Sequence, residues 1–221
     1  MKRILCILFS AMFAMLTFAG CSKDTKMTSG KSSDADTSKT TDNSSSADSS
    51  SESAAGAEKV RVTMENGGSF VIELYPQYAP ETCANFLNLV KDHFYDGLTF
   101  HRVVDNFMAQ GGSSDGQGYK GSDKTIKGEF AANGFTQNTL KHTRGVVSMA
   151  RSGDPNSASS QFFICYGDAA FLDGKYAAFG KVIEGMDVVD AFCKVERTYN
   201  GTDQTPATPV DPIIIKTMEV I

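Results

Sequence analysis

The run FHRVVDNFMAQGG, residues 100–112, sets one arginine inside an apolar, strand-like stretch and follows it with Phe107, Met108, Gln110 and two glycines. Side chains alternate along a strand, so Arg102 faces away from His101 and Val103. A turn at Asp105-Asn106 that keeps the register puts Met108 and Gln110 on the face of Arg102. A later run, SQFFICY (160–166), offers Gln161 and Phe163 with matching parity. These residues make a candidate site of one guanidinium, two amides, a thioether and an aromatic ring. Only Asp105 lies close in sequence, and Arg102 is read as having no carboxylate partner within the protein.

The chemistry of such a set is narrow. Hydrolysis and group transfer need an activated nucleophile, a general base or a metal, and none is evident here. A permanent cation beside amides and an apolar pocket suits a reaction without proton transfer or a covalent intermediate. Rotation about an X–Pro peptide bond is one. The other reactive residue types add little. Cys83, Cys165 and Cys193 show no C-x-x-C spacing and sit in apolar stretches, so they read as small buried hydrophobes. His93, His101 and His142 have no metal-ligand spacing. A metal-dependent hydrolase built on them is the weakest reading, and no metal is expected.

The elements that must position the site begin at Glu58. KVRVTME and SFVIELY flank Asn66-Gly67-Gly68 as a hairpin. Pro80 suits the first turn of a helix, and Cys83, Phe86, Leu87 and Val90 repeat as one apolar helical face. Residues 111–145 read as a long surface excursion, of the kind that is often functional. Strands are expected again at GVVSMAR (145–151), SQFFICY, YAAFGKV (176–182) and PIIIKTMEVI (212–221), and a second helix from Val188, Ala191, Phe192 and Val195. About eight strands and two helices without a β-α-β rhythm predict a mainly β fold. The expected form is a closed eight-stranded antiparallel barrel capped by two α-helices.

The chain ahead of this domain divides in two. Lys2 and Arg3, the apolar run Ile4 to Phe18 and the pair Ala19-Gly20 before Cys21 form a signal peptide over 1–20 that resembles a bacterial lipobox, with Cys21 as the lipidated residue. An ordinary signal peptide or uncleaved anchor is the alternative. Residues 22–57 are Ser-, Thr- and Asp-rich with almost no apolar side chains, so they are expected to stay disordered as a tether. Such a tether would reach roughly 30–36 Å on average. The folded domain is expected over 58–221, in an exported protein held by a lipid on the extracytoplasmic side of a membrane. A net charge of −5 over 221 residues argues against nucleic acid as a partner.

Four motifs in order, FHRVVDNFMAQGG, GVVSMAR, DPNSASSQFFI and FLDGKYAAFGKV, resemble the cyclophilin family of peptidyl-prolyl isomerases, and the resemblance runs from about Lys59 to Ile221. It implies an eight-stranded barrel with two helices and a cofactor-independent isomerase. The implied partners are proline-containing peptides and unfolded protein segments, bound by a monomer. Arg102 is implied as the catalytic residue. Phe107, Met108, Phe163 and Leu172 match the pocket for the proline ring, Gln110 and Gln161 its amides, and Ala150 and Arg151 the segment along the substrate backbone. Phe171 stands where many members have tryptophan, Tyr176 where many have histidine, and Arg151 where asparagine is common. The other reading of the same residues is a module that binds proline-containing peptides, chaperone-like, with little turnover.

Overall fold

A computed structural model describes residues 57–221. The signal segment, Cys21 and the tether residues ahead of Ala57 lie outside the described residues. β1 (Lys59–Met64) and β2 (Ser69–Leu74) form the expected hairpin around Asn66-Gly67. Gly67 takes φ +86 there, and Gly68 N donates to the Asn66 side chain at 3.0 Å. α1 (Pro80–Lys91) follows, then β3 (Phe100–Val104), β4 (Met108–Gly111), β5 (Val146–Met149), β6 (Phe162–Cys165) and β7 (Ala178–Glu184). α2 (Met186–Asp190), the short pair β8 (Arg197–Thr198) and β9 (Thr208–Pro209), and β10 (Ile215–Val220) complete the chain.

All pairings are antiparallel, and the main sheet runs β10-β1-β2-β7-β5-β6-β4-β3. It is mainly β with two helices, as expected, but it is an open, strongly curled half-barrel and not the closed barrel read from the sequence. The edge strands β3 and β10 share no ladder. Near the seam the chain carries Pro206, Pro209 and Pro212, which have no N–H to give a sheet. What joins the edges is an isolated bridge, Thr99 to Ile214, with Phe100 N donating to Ile213 O at 2.9 Å and Ile215 N to Leu98 O at 2.8 Å.

The inner face of the curl holds the core. α1 buries Cys83, Phe86, Leu87 and Val90, the face expected from their spacing. The Phe86 ring sits 5.1–5.5 Å from those of Phe179, Tyr95 and Phe162. Ala79 caps this helix without a side-chain acceptor, and Glu129 supplies one: its carboxylate accepts from Glu81 N at 3.0 Å, Thr82 N at 2.8 Å and Thr82 Oγ1 at 2.7 Å. The stretch 111–145 is therefore not a mere surface excursion. It buries Ile126, Glu129, Phe130, Asn138 and His142, and aperiodic spacing hid that because each docks singly.

The second helix is shorter than expected. α2 has one five-residue turn region followed by a 3₁₀ segment, Ala191–Lys194, and the buried residues are Val189 and Phe192 while Ala191 is exposed. Gly185 sets its start at φ +74, where a Cβ would meet Ser69 O at 2.4 Å. Cys83 and Cys165 are buried as read, their thiols pushed up to about 12 by burial, but Cys193 is only partly covered.

Candidate active site

β4 and β6 carry two faces of different use. Ala109, Phe162 and Ile164 point into the core, while Met108, Phe163 and Cys165 point outward into a second, smaller apolar cluster with Ala169 and Leu172. That outer cluster borders a cleft of about 120 Å³ lined by Arg102, Phe107, Met108, Gln110, Ala150, Arg151, Phe163, Leu172 and Tyr176. Register explains the convergence. Arg102 pairs directly with Gln110 across β3 and β4, Val104 with Met108, and Gln110 in turn with Phe163 on β6. Directly opposed strand residues share a face. The parity argument thus places these side chains where the structure has them.

Of the site residues expected from sequence, only Gln161 and Phe171 fall outside this lining. Gln161 lines the adjoining cleft and stands behind Gln110, whose Nε2 donates to Gln161 Oε1 at 2.9 Å. Gln161 Nε2 donates onward to the carbonyls of Gly118 (3.1 Å) and Lys120 (3.2 Å). Gly118 holds φ +88, and a Cβ there would meet His101 Nε2 at 2.8 Å, so the loop approaches β3 only as glycine. Phe171 is 62% exposed, its ring 5.5 Å from that of Phe107 at the rim.

Arg102 departs from its sequence reading. Its Nε donates to Asp203 Oδ2 at 2.7 Å, its Nη2 to Asp203 Oδ1, and its Nη1 to Gln110 Oε1 at 3.1 Å. The expectation of no carboxylate partner is corrected: the partner lies 101 residues away along the chain. The β8–β9 loop delivers it. Asn200 Oδ1 accepts from the backbone N–H of Thr202 and Asp203 at 2.9 Å each, and Asn200 Nδ2 donates to Asp203 Oδ2 at 2.8 Å. At the base of that loop Arg197 grips both oxygens of Asp105 at 2.8 and 2.9 Å, which takes the one nearby carboxylate away from Arg102. The hydrogen bonds from Arg102 hold the Asp203 carboxyl below the usual carboxylate range. Sequence reasoning missed Asp203; an Asn-Gly turn at 200–201 marks a loop but not its destination.

The apolar wall is braced from behind. Phe163 stacks on His142 with ring centroids 6.0 Å apart and meets Tyr176 edge-on at 6.0 Å. His142 Nδ1 lies 3.0 Å from Asp173 Oδ1 and its Nε2 3.0 Å from Ser148 Oγ. This resembles a nucleophile triad in connectivity only. Ser148 and His142 are fully buried, so the serine meets no substrate. Arg151 lies across the mouth, its guanidinium carbon 4.6 Å from the Tyr176 ring centroid and 5.1 Å from that of Phe130. Among the described residues no three His, Cys, Asp or Glu side chains converge to hold a metal. His101 lies on the far face of β3, buried, with burial lowering it to about 4.

Comparison with known proteins agrees with this geometry. Residues 59–220 match the family model of cyclophilin-type peptidyl-prolyl cis-trans isomerases. A peptidyl-prolyl cis-trans isomerase of Acinetobacter baylyi is 45% identical over 158 residues, covering 68% of this chain and 81% of that protein. A probable peptidyl-prolyl cis-trans isomerase of Brucella suis is 40% identical over 174 residues, covering 76% and 86%. Among solved structures, a cyclophilin-type isomerase of Cryptosporidium parvum superposes with a TM-score of 0.64 at 31% identity, covering 75% of this chain and 98% of that one. The same protein crystallised in the presence of the dipeptide Ala-Pro gives 0.63.

Proposed function

The chain belongs to the cyclophilin-type peptidyl-prolyl cis-trans isomerases, and from that premise we propose that Arg102 is its catalytic residue, held by Asp203 and Gln110 over a proline pocket formed by Phe107, Met108, Phe163 and Leu172. The observation that carries the assignment is the hydrogen-bond set on Arg102. A guanidinium has five N–H donors; Asp203 and Gln110 engage three, leaving one on each terminal nitrogen. The side chain is 28% exposed and lines the apolar cleft, so those donors are available to a prolyl amide bound there.

Amide resonance sets a rotational barrier of about 18–20 kcal/mol. As the C–N bond twists, the nitrogen pyramidalises and recovers a lone pair. A guanidinium N–H that donates to this lone pair stabilises the twisted state and has nothing comparable to donate to in the planar one. Arginine keeps its charge beside apolar groups, and its fixed plane lets two partners orient it. Acceleration from about 0.01 to about 1000 per second needs roughly 7 kcal/mol, while one charge-assisted hydrogen bond supplies about 1.5–3 kcal/mol. The remainder comes from holding the proline ring against Phe107, Met108, Phe163 and Leu172 while the chain on the other side of the bond turns. No acid, base or covalent step is required of the site.

The N-terminal pattern extends this reading to location. With Cys21 lipidated and residues 22–57 as a tether, the isomerase domain acts on proline-containing segments of exported, incompletely folded proteins outside a bacterial cytoplasmic membrane; the lipobox-like sequence supports this. Lipid labelling that persists in Cys21→Ala would remove the anchor. An isomerisation assay on an Ala-Pro peptide tests the catalytic assignment. Wild-type rates in a folded Arg102→Ala variant would end it.

A further inference from the structure

Arg151 is a cation with no carboxylate to answer it. Arg102, Arg144 and Arg197 each pair with an aspartate, whereas Arg151 forms no ion pair among the described residues. Its Nε and Nη2 donate to Lys175 O at 3.2 and 2.9 Å and its Nη1 to Ser152 O at 2.8 Å. Stacking on Tyr176 and Phe130 fixes its plane, and two N–H donors are left, one on each terminal nitrogen. A surface cation that binds nothing usually wanders; this one is held by three carbonyl bonds and two rings.

Where it is held gives it a use. Arg151, Ala150 and Gln110 line both the proline cleft and an adjoining cleft of about 360 Å³. That second cleft continues over Gly118, Tyr119, Gly121, Ser152, Ser157 and Ser159, and no carboxylate lines it. Of the nearby acidic residues, Asp115 Oδ1 accepts from Ser113 Oγ at 2.6 Å and Gln117 N at 3.0 Å, and Asp154 Oδ1 from Asn156 N at 2.8 Å, while the exposed Asp123, two residues beyond Gly121, lines a different cleft beside Lys124. The Ser152, Ser157 and Gln161 donors are spent within the protein, so the two spare N–H groups of Arg151 are the charged donors this carboxylate-free lining offers beside the first cleft.

We propose that Arg151 is a specificity-determining residue, selecting substrates that place an acidic side chain in this second cleft while their proline occupies the first. The inference rests on the isomerase reading of the first cleft and adds a substrate class to it. A preset guanidinium recognises a carboxylate without first losing side-chain freedom, and its exposure makes the preference salt-sensitive.

The test uses the full chain and peptides with one proline, in which Glu, Gln or Lys is placed in turn at each position flanking it. Exchange rates are measured by NMR at low and high salt, and the Glu-to-Lys ratio of kcat/KM is formed within each protein. One flanking position should favour Glu over Lys by about tenfold, equivalent to about 1.4 kcal/mol. That ratio should shrink at high salt, survive in Arg151→Lys, fall to about one in Arg151→Gln and invert in Arg151→Glu. Because each ratio is internal to one variant, a general loss of activity cancels. A ratio near one at every position in the wild type, or a preference that persists in Arg151→Gln, overturns the proposal. If no proline peptide is turned over at all, the isomerase reading fails instead.

Discussion

Arg102 and Asp203 form a two-point ion pair across 101 residues of chain, in which Nε and Nη2 of the guanidinium meet the two carboxylate oxygens. The aspartate side chain is only 11% exposed, so water competes weakly for it. The pair orients the guanidinium plane, and the free donors aim accordingly. Asp203→Ala should therefore lower kcat by about tenfold, or about 1.4 kcal/mol of transition-state stabilisation, with a smaller change in KM. Asp203→Glu should recover part of it. Steady-state kinetics on an Ala-Pro peptide check this; an unchanged kcat in Asp203→Ala would leave the aspartate a merely structural partner.

Arg102→Lys should behave nearly as badly as Arg102→Ala. An ammonium keeps the charge but is a point donor that cannot span both Asp203 oxygens and Gln110 Oε1 together. Losing one charge-assisted hydrogen bond of about 1.5–3 kcal/mol predicts a fall in kcat/KM of about ten- to a hundredfold for either variant. Circular dichroism should be unchanged in both. A lysine variant within a factor of about two of wild type would mean that charge alone, without the fork, carries catalysis.

Stability should fall on mild acidification while the chemistry stays level. His101 is buried and lowered from 6.5 to about 4 by burial, and burial also lowers His142. Between those values the unfolded chain binds a proton that the folded one refuses, so stability is complete above about pH 6.5 and declines toward pH 4. For His101 the loss reaches at most about 3 kcal/mol. Asp203 acts in the same direction at lower pH, since its depressed carboxyl contributes above its unfolded value and is lost as pH falls through the folded one. Thermal melts from pH 8 to 4 read this out, and His101→Gln should flatten the profile. Over pH 6.5–8 the peptide assay should show a nearly constant kcat/KM; a bell-shaped curve there would require an acid–base pair that the site does not present.

The part of this site that lies on strands was legible in the sequence, because strand alternation is rigid. Arg102, Met108 and Gln110 share a face whatever the rest of the chain does, and Gln161 with Phe163 follow the same rule one strand further on. The hairpin and the apolar face of α1 were legible from periodicity as well, whereas the second helix was not, because it breaks into α2 and a 3₁₀ segment that leaves Ala191 exposed. What escaped notice arrives through loops. Asp203 and Glu129 reach their partners across 101 and 47–48 residues respectively, and neither sits in a periodic pattern. The open seam was also hidden: eight alternating runs imply a sheet that curls, but whether its edges pair is decided by the proline-bearing segment 205–214, not by the strands themselves.

Glu129 gives the last prediction. α1 begins with Pro80, which lacks an N–H, and with Ala79, which cannot cap, so the first free backbone donors at Glu81 and Thr82 depend on a carboxylate from the long loop. That carboxylate is 3% exposed and also accepts from Thr82 Oγ1. Glu129→Ala strands buried donors at a helix start, where a lost cap costs up to about 2 kcal/mol. In a domain of this size that corresponds to a drop in melting temperature of about 4–8 °C. Glu129→Gln keeps one acceptor oxygen but turns an amide donor toward N–H groups, so it should fall between wild type and alanine. Glu129 itself does not line the cleft beside Arg102, and its neighbour Phe130 reaches that cleft only by packing on Arg151, so kcat/KM at a temperature where each protein is fully folded should stay within about twofold of wild type. A melting temperature unchanged in Glu129→Ala would show that solvent satisfies the helix start and that the loop is held by its other contacts.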